Sequence, residues 1–140
     1  MAYLIGALLA LSVGALGTVS GLDRDRAFYP TIMIVIAAYY VLYAVMGGSS
    51  QALVLETAVA TVFLAAALVG FRHSLWLVVA ALAAHGIQDA FHGRLIANPG
   101  VPAWWPAFCI AYDLVAAGYL AFLLVRDQPP HARASASPAP

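Results

Sequence analysis

Four polar side chains lie close together in an otherwise almost wholly apolar stretch, the segment AAHGIQDAFHGR. They are His85, Gln88, Asp89 and His92, at relative positions i, i+3, i+4 and i+7. On a continuous α-helix these positions share one narrow face, so the four side chains would point the same way. Imidazole and carboxylate groups bind transition metals and also transfer protons. The spacing therefore indicates a metal site or a proton-handling site.

Two further acids, Glu56 and Asp113, also lie inside apolar stretches. An ionisable side chain within a membrane span costs at least about 2.5 kcal/mol on insertion scales, so it should be paired and face the protein interior. We predict that several such groups converge on one metal site. The predicted ligands are His85, Asp89, His92, Asp113 and Glu56, and the predicted supporting residues are Gln88, Tyr43 and Tyr112.

The composition indicates an integral membrane protein that is surrounded by membrane lipid. Of the 140 residues, 64% are hydrophobic and 9% are charged, whereas about a quarter of the residues in soluble domains are charged. All six basic residues are arginines and the formal net charge is zero. Because a nucleic-acid-binding surface needs a surplus of positive charge, no nucleic-acid partner is expected.

Apolar length and chain-breaking residues divide the chain into five helical spans, each long enough to cross a hydrocarbon core of roughly 30 Å. The predicted fold is all-α, a polytopic bundle of five transmembrane helices with short loops. It occupies residues 1–126, and the Pro-, Ala- and Ser-rich residues 127–140 are predicted to be a disordered tail. The predicted spans are Ala2–Ser20, Phe28–Met46, Ala52–Phe71, Leu75–Gly93 and Trp104–Val125.

The arginines predict how the chain is oriented. With five spans, alternate loops fall on opposite sides, and cytoplasmic loops carry the excess of positive charge. Arg94 is alone on one side, and the other side carries Arg24, Arg26, Arg72, Arg126 and Arg133. The N-terminus is therefore expected outside and the C-terminus in the cytoplasm.

This orientation predicts the depth of each polar group. The third and fifth spans begin at the outer side, and the fourth ends there. With a rise of about 1.5 Å per residue, Glu56, Asp89 and His92 lie within roughly 6 Å of the outer boundary. His85 and Asp113 lie roughly 12 to 14 Å below it. A histidine and a carboxylate from different helices can thus meet at each of two levels.

Three functions are compatible with these residues. Two imidazoles with one to three carboxylates suit zinc, iron or manganese, and an open coordination position could activate water or oxygen against a lipid-soluble substrate. Buried acids and histidines also form proton or ion pathways, although the cytoplasmic half of the predicted bundle has no matching acids or histidines. The third alternative is a purely structural polar network that orders the helix packing.

Haem and nucleotide cofactors are not expected. His85 and His92 project from one face of one predicted helix, so they cannot supply opposite axial ligands to one iron.

Small residues in the first span indicate close helix packing. Gly6, Ala10, Gly14 and Thr18 recur every four residues, a period that lets helices approach closely. This face is expected to pack within the bundle or at the contact of a homodimer.

The segments HGIQDAFH and PAWWPAFCIAYDLVAAGYL together resemble small bacterial integral membrane proteins grouped as a domain family of unknown function. The resemblance covers roughly the last two spans and implies a bacterial inner-membrane location without implying an activity. The HxxxDxxH run also resembles the intramembrane zinc hydrolases of the alkaline ceramidase and adiponectin receptor group. Those proteins have seven spans and three histidine ligands, whereas this sequence predicts five spans and two.

Overall fold

The computed structural model describes residues 1–126, and all regular secondary structure in that range is helical. The predicted tail, residues 127–140, lies outside the described part. A 3₁₀ turn, Leu22–Arg24, joins the first two α-helices. The α-helices are α1 (Ala2–Ser20), α2 (Phe28–Met46), α3 (Ser50–Arg72), α4 (Leu75–Asp89), α5 (His92–Leu95) and α6 (Trp105–Arg126).

Local sequence explains where these helices begin and end. Ser49 and Ser74 cap α3 and α4, since their hydroxyl oxygens accept hydrogen bonds from backbone N–H groups of the first turn. Helix α1 ends at Gly21, whose φ of 78° is a left-handed conformation that glycine adopts without strain. Pro30 and Pro106 occupy first turns, where the missing N–H is not needed for a helical hydrogen bond.

Helices α1, α2, α3 and α6 are long and apolar enough to cross a membrane, whereas α4 has only 15 residues. That length corresponds to about 22 Å. The predicted extension of this helix to Gly93 is wrong, because the helix ends at Asp89. There the backbone tightens: the N–H of Ala90 donates to the carbonyl of Ile87, and Phe91 donates to Gln88. These bonds span three residues instead of four, as in a 3₁₀ turn.

Helix α4 lies in the middle of the bundle, in contact with α2, α3 and α6. Helix α1 packs along the far side of α6. The two run in the same direction, because Gly6 lies against the backbone of Phe108 and Gly14 lies against the ring of Tyr119, further along both helices. The small-residue face of α1 is therefore used inside the chain, so it is not available as a homodimer contact.

The helix ends separate into two opposite ends of the bundle. At one, the Nε of Arg26 in the α1–α2 connection donates to the carbonyl of Phe71 near the end of α3, at 3.2 Å. A cleft at this end brings together Thr18 of α1, Leu75 of α4 and Leu124 of α6. We call it the arginine end, since it carries Arg24, Arg26, Arg72 and Arg126. The opposite end, which carries Arg94, is called the site end.

The middle of the bundle is apolar. Met33 of α2, Ala67 of α3 and both Val78 and Leu82 of α4 are completely buried. They belong to one continuous hydrophobic cluster that also includes residues of α1 and α6. The buried titratable groups described below therefore lie between this core and the site end.

Candidate metal centre

All five residues predicted as ligands are buried near the site end. Each exposes at most 2% of its surface, which is rare for ionisable side chains unless they are paired. They come from α3, α4 and α6 and from the short α5: Glu56 from α3, His85 and Asp89 from α4, His92 from α5 and Asp113 from α6.

Three of these residues form what we call the inner cluster: His85, Asp89 and Asp113. The Nδ1 of His85 lies 2.7 Å from Oδ2 of Asp113 and 3.5 Å from Oδ2 of Asp89. One potential ligand atom from each residue lies within 4.8 Å of the others. Among residues 1–126, these three side chains lie close enough together to hold one metal ion.

Two features of the sequence build the inner cluster. His85 and Asp89 are four residues apart on α4, so both project from the same side of that helix. Gly86 lets α6 come close, because a Cβ atom at this position would lie only 3.2 Å from the Cβ of Asp113. Phe63 of α3 covers the ring of His85 edge-on, with 4.8 Å between the ring centroids. Close helix approach and an aromatic cover thus keep the cluster out of contact with the surroundings.

Glu56 and His92 form a second group, which we call the outer pair. Nε2 of His92 lies 2.8 Å from Oε1 of Glu56. The side-chain amide of Asn98 donates to the same glutamate oxygen at 2.9 Å and to the backbone carbonyl of Tyr40 at 3.1 Å. The loop between α5 and α6 therefore folds back onto the bundle and takes part in the polar network.

Tyr40 stands between the inner cluster and the outer pair. Its hydroxyl donates to Oδ1 of Asp89 at 2.7 Å, and its ring stacks on that of His92 with 4.1 Å between centroids.

The five predicted ligands thus divide into the inner cluster of three residues and the outer pair of two. The division follows from the tight turn after Asp89: a 3₁₀ turn advances each residue by about 120° instead of 100° around the axis. His92 is thereby turned off the predicted face and towards Glu56.

The inner cluster has more acceptors than donors. Oδ2 of Asp89 and Oδ1 of Asp113 are buried without a hydrogen-bond donor among the described residues. A single ring nitrogen of His85 faces both acids. With both acids ionised, the cluster carries a net charge of −2 with neutral His85 and −1 with protonated His85. A buried charge surplus of this kind is costly unless a cation or a proton compensates it.

A pocket of about 640 Å³ opens at the site end, and His92 and Asn98 are among its lining residues. Ser49 and the loop residues around Pro99 and Pro102 complete its wall. The pocket therefore reaches His92 of the outer pair directly. The inner cluster lies behind it, on the other side of Tyr40.

The predicted supporting residues lie outside the polar network. The ring of Tyr43 packs against Trp105 at 5.0 Å, and that of Tyr112 packs against Phe108 at 5.9 Å. Gln88 is half-buried and makes no hydrogen bond to either group within residues 1–126. Within residues 1–126, none of the three makes a hydrogen bond to the inner cluster or to the outer pair.

Sequence reasoning missed two residues of the network, Tyr40 and Asn98. Tyr40 lies on the same face of α2 as Met33, Ala37 and Ala44, all buried. The two alanines, three and four residues away, marked this face as the closely packed one. Asn98 begins an Asn-Pro-Gly turn, in which its Oδ1 accepts from the N–H of Gly100 at 3.2 Å. Nothing in the loop sequence indicated that the turn packs against Glu56.

No protein-family model matches the chain, and no match is found among curated proteins or solved structures. The fold and the candidate metal centre therefore rest on the sequence and the geometry described above.

Proposed function

We propose that this protein is a membrane-embedded metal-binding protein whose inner cluster holds a divalent transition metal, with zinc and iron the preferred candidates. The observation that carries this proposal is the pair of buried carboxylate oxygens, on Asp89 and Asp113, that have no donor. A bound cation would accept their lone pairs and cancel the surplus negative charge. A purely structural network would be expected to satisfy these atoms from within.

The chemistry of the inner cluster supports the same proposal. One imidazole and two carboxylates suit zinc, iron or manganese, and three protein ligands leave a coordination position open. The acids face Nδ1 of His85, so a cation held by all three residues would replace the proton on that nitrogen, and metal binding would release a proton. Tyr40 orients Asp89 by donating to its Oδ1. When bound, a metal would polarise a substrate or activate water in this position.

We further propose that the substrate is a lipid-soluble molecule entering from the side of the bundle. An apolar groove of about 420 Å³ lies between α1, α2 and α6, and Leu9, Val35 and Cys109 are among its lining residues. Cys109 packs with Tyr40 in one buried cluster. Cys109, at the wall of the groove, therefore packs with the residue that hydrogen-bonds to Asp89. An apolar molecule in the groove would approach the inner cluster without crossing the polar loops.

The proposed topology has five membrane crossings, with the site end outside and the arginine end in the cytoplasm. Four of the five arginines in residues 1–126 lie at the arginine end, as the positive-inside rule requires of the cytoplasmic side. Helix α4 would cross together with α5, through the tight turn between them.

A bacterial inner membrane is proposed from the resemblance described above. A homodimer is also proposed, with a contact other than the glycine face of α1.

Proton or ion translocation has less support. A pathway would have to continue from the inner cluster to the arginine end. Completely buried Met33, Val78 and Leu82 occupy the middle of the bundle instead. Among the described residues, no buried acid or histidine lies beyond His85 and Asp113 in that direction. The arrangement therefore favours a site that binds and reacts over one that conducts.

Elemental analysis of the purified full chain, after reloading with zinc, iron or manganese and removal of loosely held ions, tests the proposal. We expect about one metal per chain in the native protein and close to none in His85→Ala, because a three-ligand site does not tolerate the loss of its imidazole. The matched control is His73→Ala, which removes an exposed histidine at the arginine end and should leave the metal in place. A native protein with no more metal than His85→Ala would overturn the assignment.

A further inference from the structure

A second pocket, of about 330 Å³, lies at the arginine end, far from the inner cluster. It is formed where α1, α4 and α6 meet the connection between α1 and α2. We call it the basic cleft. Its wall is part charged and part apolar, and nothing in the proposed metal chemistry uses it.

The charged part of the basic cleft carries a positive surplus. Arg24, Arg26 and Arg126 line it together with one acid, Asp23; for Arg24 and Arg26 alone, two positive charges less one negative charge leave one. Arg26 is held in place by the carbonyl oxygens of Phe71 and Gly70, at 3.2 and 3.5 Å. Its guanidinium group is therefore positioned before any ligand arrives.

Asp23 is already engaged, since its Oδ2 accepts a hydrogen bond of 2.6 Å from the hydroxyl of Thr18. Thr18 in turn lies 3.0 Å from the hydroxyl of Tyr119. These contacts hold the single acid against the α1–α6 side of the cleft. The arginines thus outweigh the acid in the field that an anion would meet.

Tyr29 supplies an independent observation that points to a ligand. It lines the basic cleft and exposes only 3% of its surface, yet its buried hydroxyl has no hydrogen-bond partner among the described residues. A buried hydroxyl without a partner costs free energy, so native structures normally satisfy it. A phosphate oxygen in the cleft would accept from this hydroxyl as well as from the arginines.

The remaining wall is apolar and consists of Leu75, Leu120, Leu123 and Leu124. A soluble anion gains nothing from such a surface, whereas a lipid can place an acyl chain along it. We propose that the basic cleft binds an anionic phospholipid, with the phosphate between the arginines and Tyr29 and an acyl chain against the leucines. Basic pockets between membrane helices are suited to anionic headgroups for this electrostatic reason. The proposal requires the membrane location but not a metal.

Binding can be measured on the full chain in detergent, with phosphatidylglycerol as the anionic probe, by native mass spectrometry and thermal unfolding. The comparison lipid is phosphatidylcholine with the same acyl chains, and inorganic phosphate is the third ligand. We expect phosphatidylglycerol to remain bound and to raise the melting temperature more than phosphatidylcholine does. Arg24→Gln should weaken its binding at least about tenfold, as expected for the loss of a charge-assisted hydrogen bond.

Arg94→Gln is the matched control, because it makes the same charge change at the site end and should leave lipid binding unchanged. Tyr29→Phe is the second variant, which keeps the ring and removes only the hydroxyl donor, and it should also weaken binding. Equal binding of both lipids, or equal losses in Arg24→Gln and Arg94→Gln, would overturn the proposal. Stabilisation by inorganic phosphate as large as that by phosphatidylglycerol would also overturn it, since the leucine wall would then have no role.

Discussion

The inner cluster and the outer pair are built from the same types of side chain and are equally buried, yet their balance of donors and acceptors differs. The outer pair matches one acid with one imidazole, and the amide of Asn98 adds a further donor to Glu56. The inner cluster opposes two acids to one imidazole and leaves two oxygens without donors. Burial therefore does not distinguish the two groups. An excess of acceptors does.

The two groups also differ in access. The outer pair borders the pocket at the site end, through His92 and Asn98. The inner cluster is separated from it by Tyr40, which is itself 2% exposed. His92 lies at the wall of this pocket, whereas the inner cluster has the ring of Tyr40 between it and the pocket. The same surplus of acid would thus cost more free energy in the inner cluster.

The largest expected effect comes from Asp113→Asn. This change removes a carboxylate ligand and one surplus negative charge, so metal affinity should fall about 100-fold or more. The metal-free variant should unfold at the same temperature as the metal-free native protein or higher, because the charge it loses is uncompensated. Titration calorimetry and thermal unfolding of both proteins check this. Undiminished metal affinity would show that Asp113 is not part of a metal centre.

Glu56→Gln makes the equivalent change in the outer pair and should have the opposite pattern. Glu56 is the matched partner of His92, so its neutralisation should lower the free energy of unfolding by roughly 2 to 3 kcal/mol. Metal content should remain that of the native protein. Chemical unfolding in detergent together with elemental analysis measures both quantities. Loss of metal at native stability would mean that the two groups act as one site.

Tyr40→Phe tests the connection between the two groups. It removes the hydrogen bond to Asp89 and keeps the ring that stacks on His92, so the expected loss is about 1 to 2 kcal/mol of unfolding free energy with the metal retained. Tyr43→Phe is the control, because the ring of Tyr43 packs against Trp105 and its hydroxyl makes no hydrogen bond to the site within residues 1–126. Equal effects of the two changes would contradict the bridging role of Tyr40.

The smallest expected effect on stability comes from Gly86→Ala. The added methyl group would press on Asp113, so the metal should bind several-fold more weakly, while helix propensity and crowding nearly cancel in the unfolding free energy. Gly118→Ala has open space around it and should instead stabilise the protein by about 0.5 to 1 kcal/mol. Metal titration and thermal unfolding of the two variants distinguish the effect of the close contact between α4 and α6 from the general effect of replacing a helical glycine.

Much of the architecture follows from local sequence. The predicted bounds of α1 and α2 agree with the structure at both ends, and those of α3 and α6 differ by one or two residues. The matched depths of His85 with Asp113 and of His92 with Glu56 were also predictable, because the rise per residue determines depth once the helix ends are known. Apolar length, capping residues and helical rise are properties of single segments.

The tertiary structure decided which side chains meet at each depth. It placed Tyr40 rather than Tyr43 between the two groups, turned His92 away from His85, and brought Asn98 from a loop into contact with Glu56. Each of these outcomes depends on how far a helix is rotated about its axis or where a loop folds back. Such rotations are determined by packing against neighbouring helices, and no single segment carries that information.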